Sequence, residues 1–227
     1  MTPEAALDAL RAQADAERAA GMAAYHKTAR PVLGLTNPQI DALVAEWRAA
    51  LDVPGRVELA RALWDDGTFE ARIAAAKLLT QARLRPDDAG AWALIMDWVP
   101  QFDGWALADH ACIAGQKRLL ADPRRLDEVA AWTASDHLWT RRAALVMTLP
   151  WAKFPNPTPE QVAARARILG WAAGYVPDRD WFIQKAIAWW LRDLSKHDPD
   201  AVRRFLDTHG PAMKPFACKE AARHLRA

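Results

Sequence analysis

Helical periodicity runs through this chain and constrains its fold more than any other feature. Apolar residues recur every three or four positions, as at Ile40, Leu43, Val44 and Trp47, and this is the spacing of one buried helix face. The sequence contains no runs of alternating β-branched residues bounded by turns, which would predict strands. The pattern therefore predicts an all-α protein.

Proline-containing signals divide this pattern into segments of ordinary helix length. Asn37-Pro38 and Thr158-Pro159 each place a capping residue before a proline, which favours the first turn of a helix. The segments form five candidate pairs, namely 38–51 with 54–66, 69–83 with 87–99, 104–120 with 123–134, 136–149 with 159–173, and 180–195 with 199–208. The longest connector is 150–157, whose prolines predict a semi-rigid loop.

The pairs recur at a spacing of about 35 residues, which is the scale of a helical solenoid. We therefore predict a curved solenoid of antiparallel helix pairs, forming one domain over residues 1–227. Stacked pairs present an extended concave face that suits a rod-like partner, either another protein or a nucleic-acid duplex.

Composition excludes several classes of protein. No apolar run reaches membrane-spanning length, and the first residues lack the pattern of a signal peptide. Cys112 and Cys218 have no metal-ligand spacing, so we expect reduced thiols in a cytoplasmic protein. The chain has no glycine-rich phosphate loop, no CxxC, HExxH or GxSxG motif, and only scattered histidines. We therefore expect neither a metal nor a cofactor.

Charge is distributed unevenly along the chain. Residues 1–110 carry a net charge of −5, whereas residues 111–227 carry +7, although the whole chain is at +2. A basic half can attract a polyanion such as DNA while the whole protein stays near neutral.

Three segments place aromatic and charged side chains at helical spacing. Trp105 and Asp109 are four residues apart among alanines, so they share a helix face that a partner can approach. Lys185 and Trp189 are also four apart. The neighbouring Trp189 and Trp190 cannot share a face, so at least one should point away from the core. Taken singly, each of these residues also fits a structural role in the core or on a solvated surface.

The middle segment, residues 135–144, carries Trp139 followed by Arg141 and Arg142. Adjacent residues of a helix point about 100° apart, so only one of these arginines can line a given face. Ala143 and Ala144 leave room for a partner to come close.

Together, these segments closely resemble the AlkD-like bacterial DNA glycosylases, which are built from HEAT-like helical repeats and excise alkylated bases. The matching residues are Trp105-x-x-x-Asp109, then Ser135-Asp136-x-x-Trp139-x-x-Arg142-Ala143-Ala144, then Phe182-Ile183-Gln184-Lys185-Ala186-Ile187-x-Trp189-x-Leu191-Arg192. Weaker similarities lie at Tyr25-x-Lys27, Leu33-Gly34, Leu63-Trp64, Glu70-x-Arg72-x-Ala74-Ala75 and Lys219-Glu220-Ala221.

The resemblance implies a monomeric glycosylase that removes cationic purines, such as 3-methyladenine and 7-methylguanine, from double-stranded DNA without an enclosed base-flipping pocket. It implies that Trp105 and Trp189 are aromatic walls beside the deoxyribose, that Asp109 is the catalytic carboxylate, and that Arg142 contacts the DNA backbone. Tyr25, Lys27 and Lys185 are further DNA-binding candidates.

These roles suit the chemistry. Breaking an N-glycosidic bond develops positive charge on the sugar, which indole faces and a carboxylate stabilise. Two alternatives remain open at this stage. One is a non-catalytic helical-repeat module that binds DNA or protein, and the other is a peptide-binding scaffold with an apolar concave face.

Overall fold

The structure, a computed structural model, describes residues 1–225. Within these residues every regular element is helical, so the predicted all-α class is confirmed. The α-helices are α1 (Pro3–Arg11), α2 (Ala16–His26), α3 (Asn37–Ala50), α4 (Val53–Asp66), α5 (Phe69–Leu78), α6 (Ala89–Trp98), α7 (Trp105–Ala121), α8 (Leu126–Ala131), α9 (Leu138–Met147), α10 (Leu149–Lys153), α11 (Pro159–Gly174), α12 (Trp181–Leu194), α13 (Pro199–His209) and α14 (Pro215–Ala221). No helix of the described chain is long and apolar enough to cross a membrane.

The chain divides into two compact units, Met1–Pro123 and Arg124–Ala227. In the first unit, helices that are second neighbours along the chain pack together, since α3 contacts α5, α4 contacts α6, and α5 contacts α7. The second unit repeats this arrangement, with α10 against α12 and α12 against α14. Packing between second neighbours is what stacked helical pairs require. The single domain over residues 1–227 stays a prediction.

Several helix starts follow the capping signals of the sequence. The Thr36 and Thr158 side chains each form a capping box with a glutamine three residues later, which satisfies N–H groups that the first turn leaves unpaired. Helix α5, however, ends at Leu78 instead of 83. Arg48 of α3 explains this early end, because its guanidinium donates to the carbonyl oxygens of Lys77 and Leu78.

The predicted loop over 150–157 is wrong in its first half. Residues Leu149–Lys153 form the short helix α10, with Pro150 in its first turn. A proline is tolerated there because the N–H that it lacks has no partner inside the helix. Arg165 stabilises this helix from α11 by donating to the carbonyl oxygens of Trp151 and Phe154.

A buried carboxylate fixes the loop between α2 and α3. Glu70 is fully buried at the start of α5, and it accepts hydrogen bonds from the backbone N–H groups of Leu33, Gly34 and Leu35 at 2.9, 2.7 and 3.2 Å. Gly34 has a φ of +87°, and a Cβ there would lie 2.2 Å from the Asp15 carbonyl oxygen. The Leu33-Gly34 and Glu70 similarities noted in the sequence therefore correspond to one structural contact.

A buried amide has the same function in the second unit. Gln184 of α12 is fully buried. Its Nε2 donates to the carbonyl oxygens of Val176 and Asp178 at 3.0 and 2.9 Å, and its Oε1 accepts the backbone N–H of Lys214 at 2.9 Å. This side chain therefore ties α12 both to the loop before it and to the start of α14.

Replacing Glu70 should destabilise the protein strongly. Glu70→Ala leaves three backbone N–H groups without their acceptor, so we expect the free energy of unfolding to fall by about 3 kcal/mol or more. Glu70→Gln keeps one acceptor oxygen and should lose about 1–2 kcal/mol. Urea unfolding followed by circular dichroism measures both values. The exposed Glu58 offers a matched control, since Glu58→Gln should stay within about 0.5 kcal/mol of wild type.

Candidate functional site

Trp105 and Asp109 share the accessible face of α7 in the first unit. Trp105 is the first residue of the helix, and Gly104 before it is extended with a φ of −168°. Both side chains are half-buried, whereas Leu107, Ala108 and Ala111 on the other faces are buried. An indole and a carboxylate thus lie one turn apart on one accessible helix face, as their spacing in the sequence predicted.

Trp105 belongs to an aromatic cluster that was not predicted from the sequence. The His26 ring lies 5.1 Å from the Trp105 ring and 4.7 Å from the Phe69 ring, measured between centroids. Tyr25 meets Trp105 edge-on at 6.0 Å and is 71% exposed. Three different helices supply these rings, so the only sequence signal for the cluster was the position of His26 beside Tyr25.

Burial influences the protonation of this cluster. Desolvation lowers the pKa of His26 below its usual value, and the nearby Glu70 carboxylate opposes this effect. The ring is therefore held towards its neutral form beside Trp105. A neutral imidazole does not repel a cationic ligand at the indole face.

Lys27 follows this cluster directly at the end of α2. Its backbone adopts the left-handed conformation with a φ of 51° and closes the helix, and its side chain is exposed. The structure thus places Tyr25 and Lys27, both DNA-binding candidates, at the accessible end of one helix.

His110 follows Asp109 on α7 and is half-buried. Its pKa is lowered to about 4, mainly by desolvation and further by the Lys77 ammonium and His26, with Asp41 opposing them. Lys77 and Asp41 form an ion pair of 2.6 Å between α5 and α3. His110 is therefore neutral near pH 7.

In the second unit, the two adjacent arginines of α9 have different environments. Arg141 forms an ion pair with Asp178 at 3.1 Å and donates to the carbonyl oxygens of Ser135 and Asp136. Arg142 is 3% exposed, and its guanidinium carbon lies 5.9 Å from the centre of the Trp139 ring. A contact between Arg142 and a DNA phosphate would thus require a change in its surroundings.

Helix α12 separates its two adjacent tryptophans as the sequence predicted. Trp190 is fully buried and its Nε1 donates to the Thr148 carbonyl oxygen, whereas Trp189 is half-buried. Lys185, one turn before Trp189, is also half-buried. Trp189 therefore has a surface that a ligand can reach.

A basic cleft of about 380 Å³ lies beside Trp189. It is lined by Trp189, Lys153, Arg192, Asp193, Lys196 and His197. Asp193 holds two of the cations, with Lys153 at 3.3 Å and Arg192 at 3.4 Å. Lys196 is exposed. Among these cations only Arg192 had been singled out from the sequence, because the cleft joins the end of α10 to the end of α12.

No group of three or more histidine, cysteine or carboxylate side chains within residues 1–225 is arranged to hold a metal ion. The candidate functional groups described above are aromatic rings, the Asp109 carboxylate of α7 and a set of cations.

Comparisons with known proteins identify the family of this chain. A sequence model of the family described as DNA alkylation repair enzyme matches residues 6–225. The chain therefore belongs to the DNA alkylation repair enzyme family, as the resemblance indicated, and its expected partner is DNA. No curated protein matches the chain.

Solved structures of similar proteins share the fold. A predicted DNA alkylation repair enzyme from Enterococcus faecalis is 23% identical, with a TM-score of 0.79 over 94% of this chain and 97% of that chain. AlkD2 from Streptococcus mutans is 19% identical, with a TM-score of 0.62 over 85% of this chain and 92% of that one. The protein smu.31 from Streptococcus mutans UA159 gives 19% and 0.61, over 83% and 92%. The predicted helical-repeat fold is thus confirmed.

The lowered pKa of His110 predicts a loss of stability in acid. The unfolded chain binds the proton at its ordinary value of 6.5, whereas the folded chain binds it only near 4. Stability should therefore be complete above pH 6.5 and fall as the pH drops from 6.5 to 4, by on the order of 3 kcal/mol for this group. Urea unfolding of wild type and His110→Gln at several pH values measures the difference. Parallel curves for the two proteins between pH 6.5 and 4 would contradict it.

Proposed function

We propose that this chain is a DNA glycosylase that hydrolyses the N-glycosidic bond of cationic alkylated purines, such as 3-methyladenine and 7-methylguanine, in duplex DNA. Family membership supports a role in the repair of alkylation damage. The accessible indole and carboxylate one turn apart on α7 are the observation that carries the finer assignment to glycosidic-bond cleavage.

The chemistry explains why this set of groups would suffice. The bond between the purine nitrogen and the sugar carbon breaks, and its electron pair leaves with the base, which becomes neutral. Because the alkylated base is already cationic, it departs without a general acid. The sugar carbon then gains positive charge until water adds to it and loses a proton.

Asp109 and Trp105 would stabilise that positive charge. The carboxylate offers a negative charge to the sugar and accepts a hydrogen bond from the attacking water. The Trp105 ring offers a negatively polarised face to the same cation. Their shared helix sets the distance between them, and the packing of His26 against Trp105 restrains the indole. Both groups would thus be oriented before DNA binds.

Groups of the second unit would serve binding. Trp189 offers a second aromatic face to a sugar, and Lys196, an exposed lysine of the basic cleft beside it, would contact a phosphate oxygen. Lys185 adds a cation on the same helix. Arg142, held near Trp139, would contribute positive charge close to this surface.

Asp109→Asn should separate catalysis from binding. Removing one group that stabilises the transition state costs about 100-fold or more in rate, whereas DNA affinity should change only a few-fold. The measurement is single-turnover release of 7-methylguanine from methylated duplex DNA, together with a direct binding titration. Asp97→Asn changes an exposed aspartate of α6 and should match wild type.

Two results would contradict the proposal. Wild-type protein that binds duplex DNA but releases no alkylated base would be a binding module. An Asp109→Asn variant that releases the base at the wild-type rate would remove Asp109 from the chemistry.

Lys196→Ala should reduce the salt dependence of duplex binding. If Lys196 neutralises one phosphate, its loss lowers the slope of log K against log salt concentration by about 1. Titrations at several salt concentrations measure this slope. Arg61→Ala removes an exposed cation of the first unit as a control and should leave the slope unchanged. An unchanged slope in Lys196→Ala would place the duplex elsewhere.

A further inference from the structure

Helix α12 leaves only one stripe of its surface accessible. Among its residues, the side chains that are not buried are Trp181, Phe182, Lys185, Trp189 and Arg192. Four of these repeat at intervals of three or four residues, so aromatic and cationic side chains alternate along one line. With a rise of about 1.5 Å per residue, the ends of the Trp181–Trp189 stretch lie about 12 Å apart. The stripe therefore extends well beyond Trp189.

Trp181 is the exposed end of this stripe. It is 48% exposed, whereas the other tryptophan rings of α12 are half-buried or buried. The Phe216 ring of α14 stacks on it with centroids 5.7 Å apart and an angle of 23°. Phe182 supports it edge-on at 5.0 Å. A rigid and exposed indole results, held by rings from two helices.

A cation lies over this indole. The Lys185 ammonium is 5.8 Å from the Trp181 ring centre. It makes no ion pair within 4 Å among the described residues, and it interacts at longer range with the Glu220 carboxylate, which Arg192 binds directly. A similar pair on α11 differs in this respect. There, Arg167 lies 5.5 Å from the Trp171 ring centre but is also bound to Asp127 at 2.6 Å. The α12 pair therefore combines an exposed ring with a cation that no carboxylate of the described chain binds directly.

We propose that Trp181, backed by Phe216 and flanked by Lys185, is a stacking platform for one unpaired DNA base, with Lys185 binding the phosphate of that nucleotide. Exposed aromatic rings interleaved with cations are the arrangement that single strands bind, because every base has a flat face and every nucleotide a phosphate. The inference rests on the proposed function only in taking DNA as the partner. It assigns a binding site distinct from the Trp105 and Asp109 chemistry.

Replacing the Lys185–Trp181 contact with a stacked base is favourable. An exposed cation–π contact is weak, and a base stacked on an indole is held more strongly. The flexible lysine side chain can leave the ring and keep its charge satisfied on the phosphate. Binding therefore replaces the Lys185–Trp181 contact with a stacked base and an ion pair.

The test compares two duplexes with the purified full chain. One contains a single bulged nucleotide, and the other contains a tetrahydrofuran residue at that position, which keeps the phosphate but lacks the base. We expect wild type to bind the first about tenfold more tightly. Trp181→Ala should abolish this preference, Trp181→Phe should keep most of it, and Trp171→Ala should match wild type. Circular dichroism verifies that each variant is folded.

Equal preference in wild type and Trp181→Ala would overturn the platform. A wild-type chain that dimerises in sedimentation while Trp181→Ala stays monomeric would assign the surface to a second copy and overturn it too. Base release from methylated duplex DNA is measured separately. A preference for the bulged base without any base release would support the platform and contradict the glycosylase proposal. Base release without this preference would support the glycosylase proposal and contradict the platform.

Discussion

The three backbone hydrogen bonds accepted by Glu70 are the constraint on which the first unit depends. They hold the loop at Leu33–Leu35, whose carbonyl group at Leu33 in turn accepts the N–H of Asp15 at the start of α2. The start of α2 is thereby tied to this loop, and the far end of α2 brings Tyr25 and His26 against Trp105. A buried carboxylate without these donors would be costly, so this network fixes one arrangement of the aromatic cluster.

The sequence predicted helices well and their ends less well. Periodicity and capping signals located α3, α4, α11 and α12 because these helices carry their own start signals and bury one face. The early end of α5 depends on Arg48, which lies thirty residues away in the chain. Such a contact leaves no local pattern. Pro150 gives no clear signal, because a proline is compatible with both a loop and a first helical turn.

In the candidate site, too, the sequence predicted what depends on local spacing and missed what depends on contacts between distant segments. The spacing of Trp105 and Asp109 required only helix geometry, whereas His26 and Phe69 reach Trp105 from distant segments. The residues that match the family include both buried structural residues and accessible ones, and the sequence alone does not distinguish them. Glu70, one of the weaker similarities, and Gln184, in the third matching segment, are both fully buried and bind backbone groups. Their roles are structural, whereas Trp105 and Trp189 among the matching residues are accessible.

Counting charges along the sequence overstates the cations available to DNA. The guanidinium groups of Arg48 and Arg165 donate hydrogen bonds to backbone carbonyl oxygens near helix ends. Arg141 binds one carboxylate and two carbonyl oxygens. The planar fork that makes arginine a good phosphate ligand also makes it a good cap for a helix end. Lysine, with a single flexible charge, is less often used in this way. Lys185 and Lys196 are therefore stronger candidates for phosphate contact than these arginines, although arginine is the more frequent basic residue of the chain.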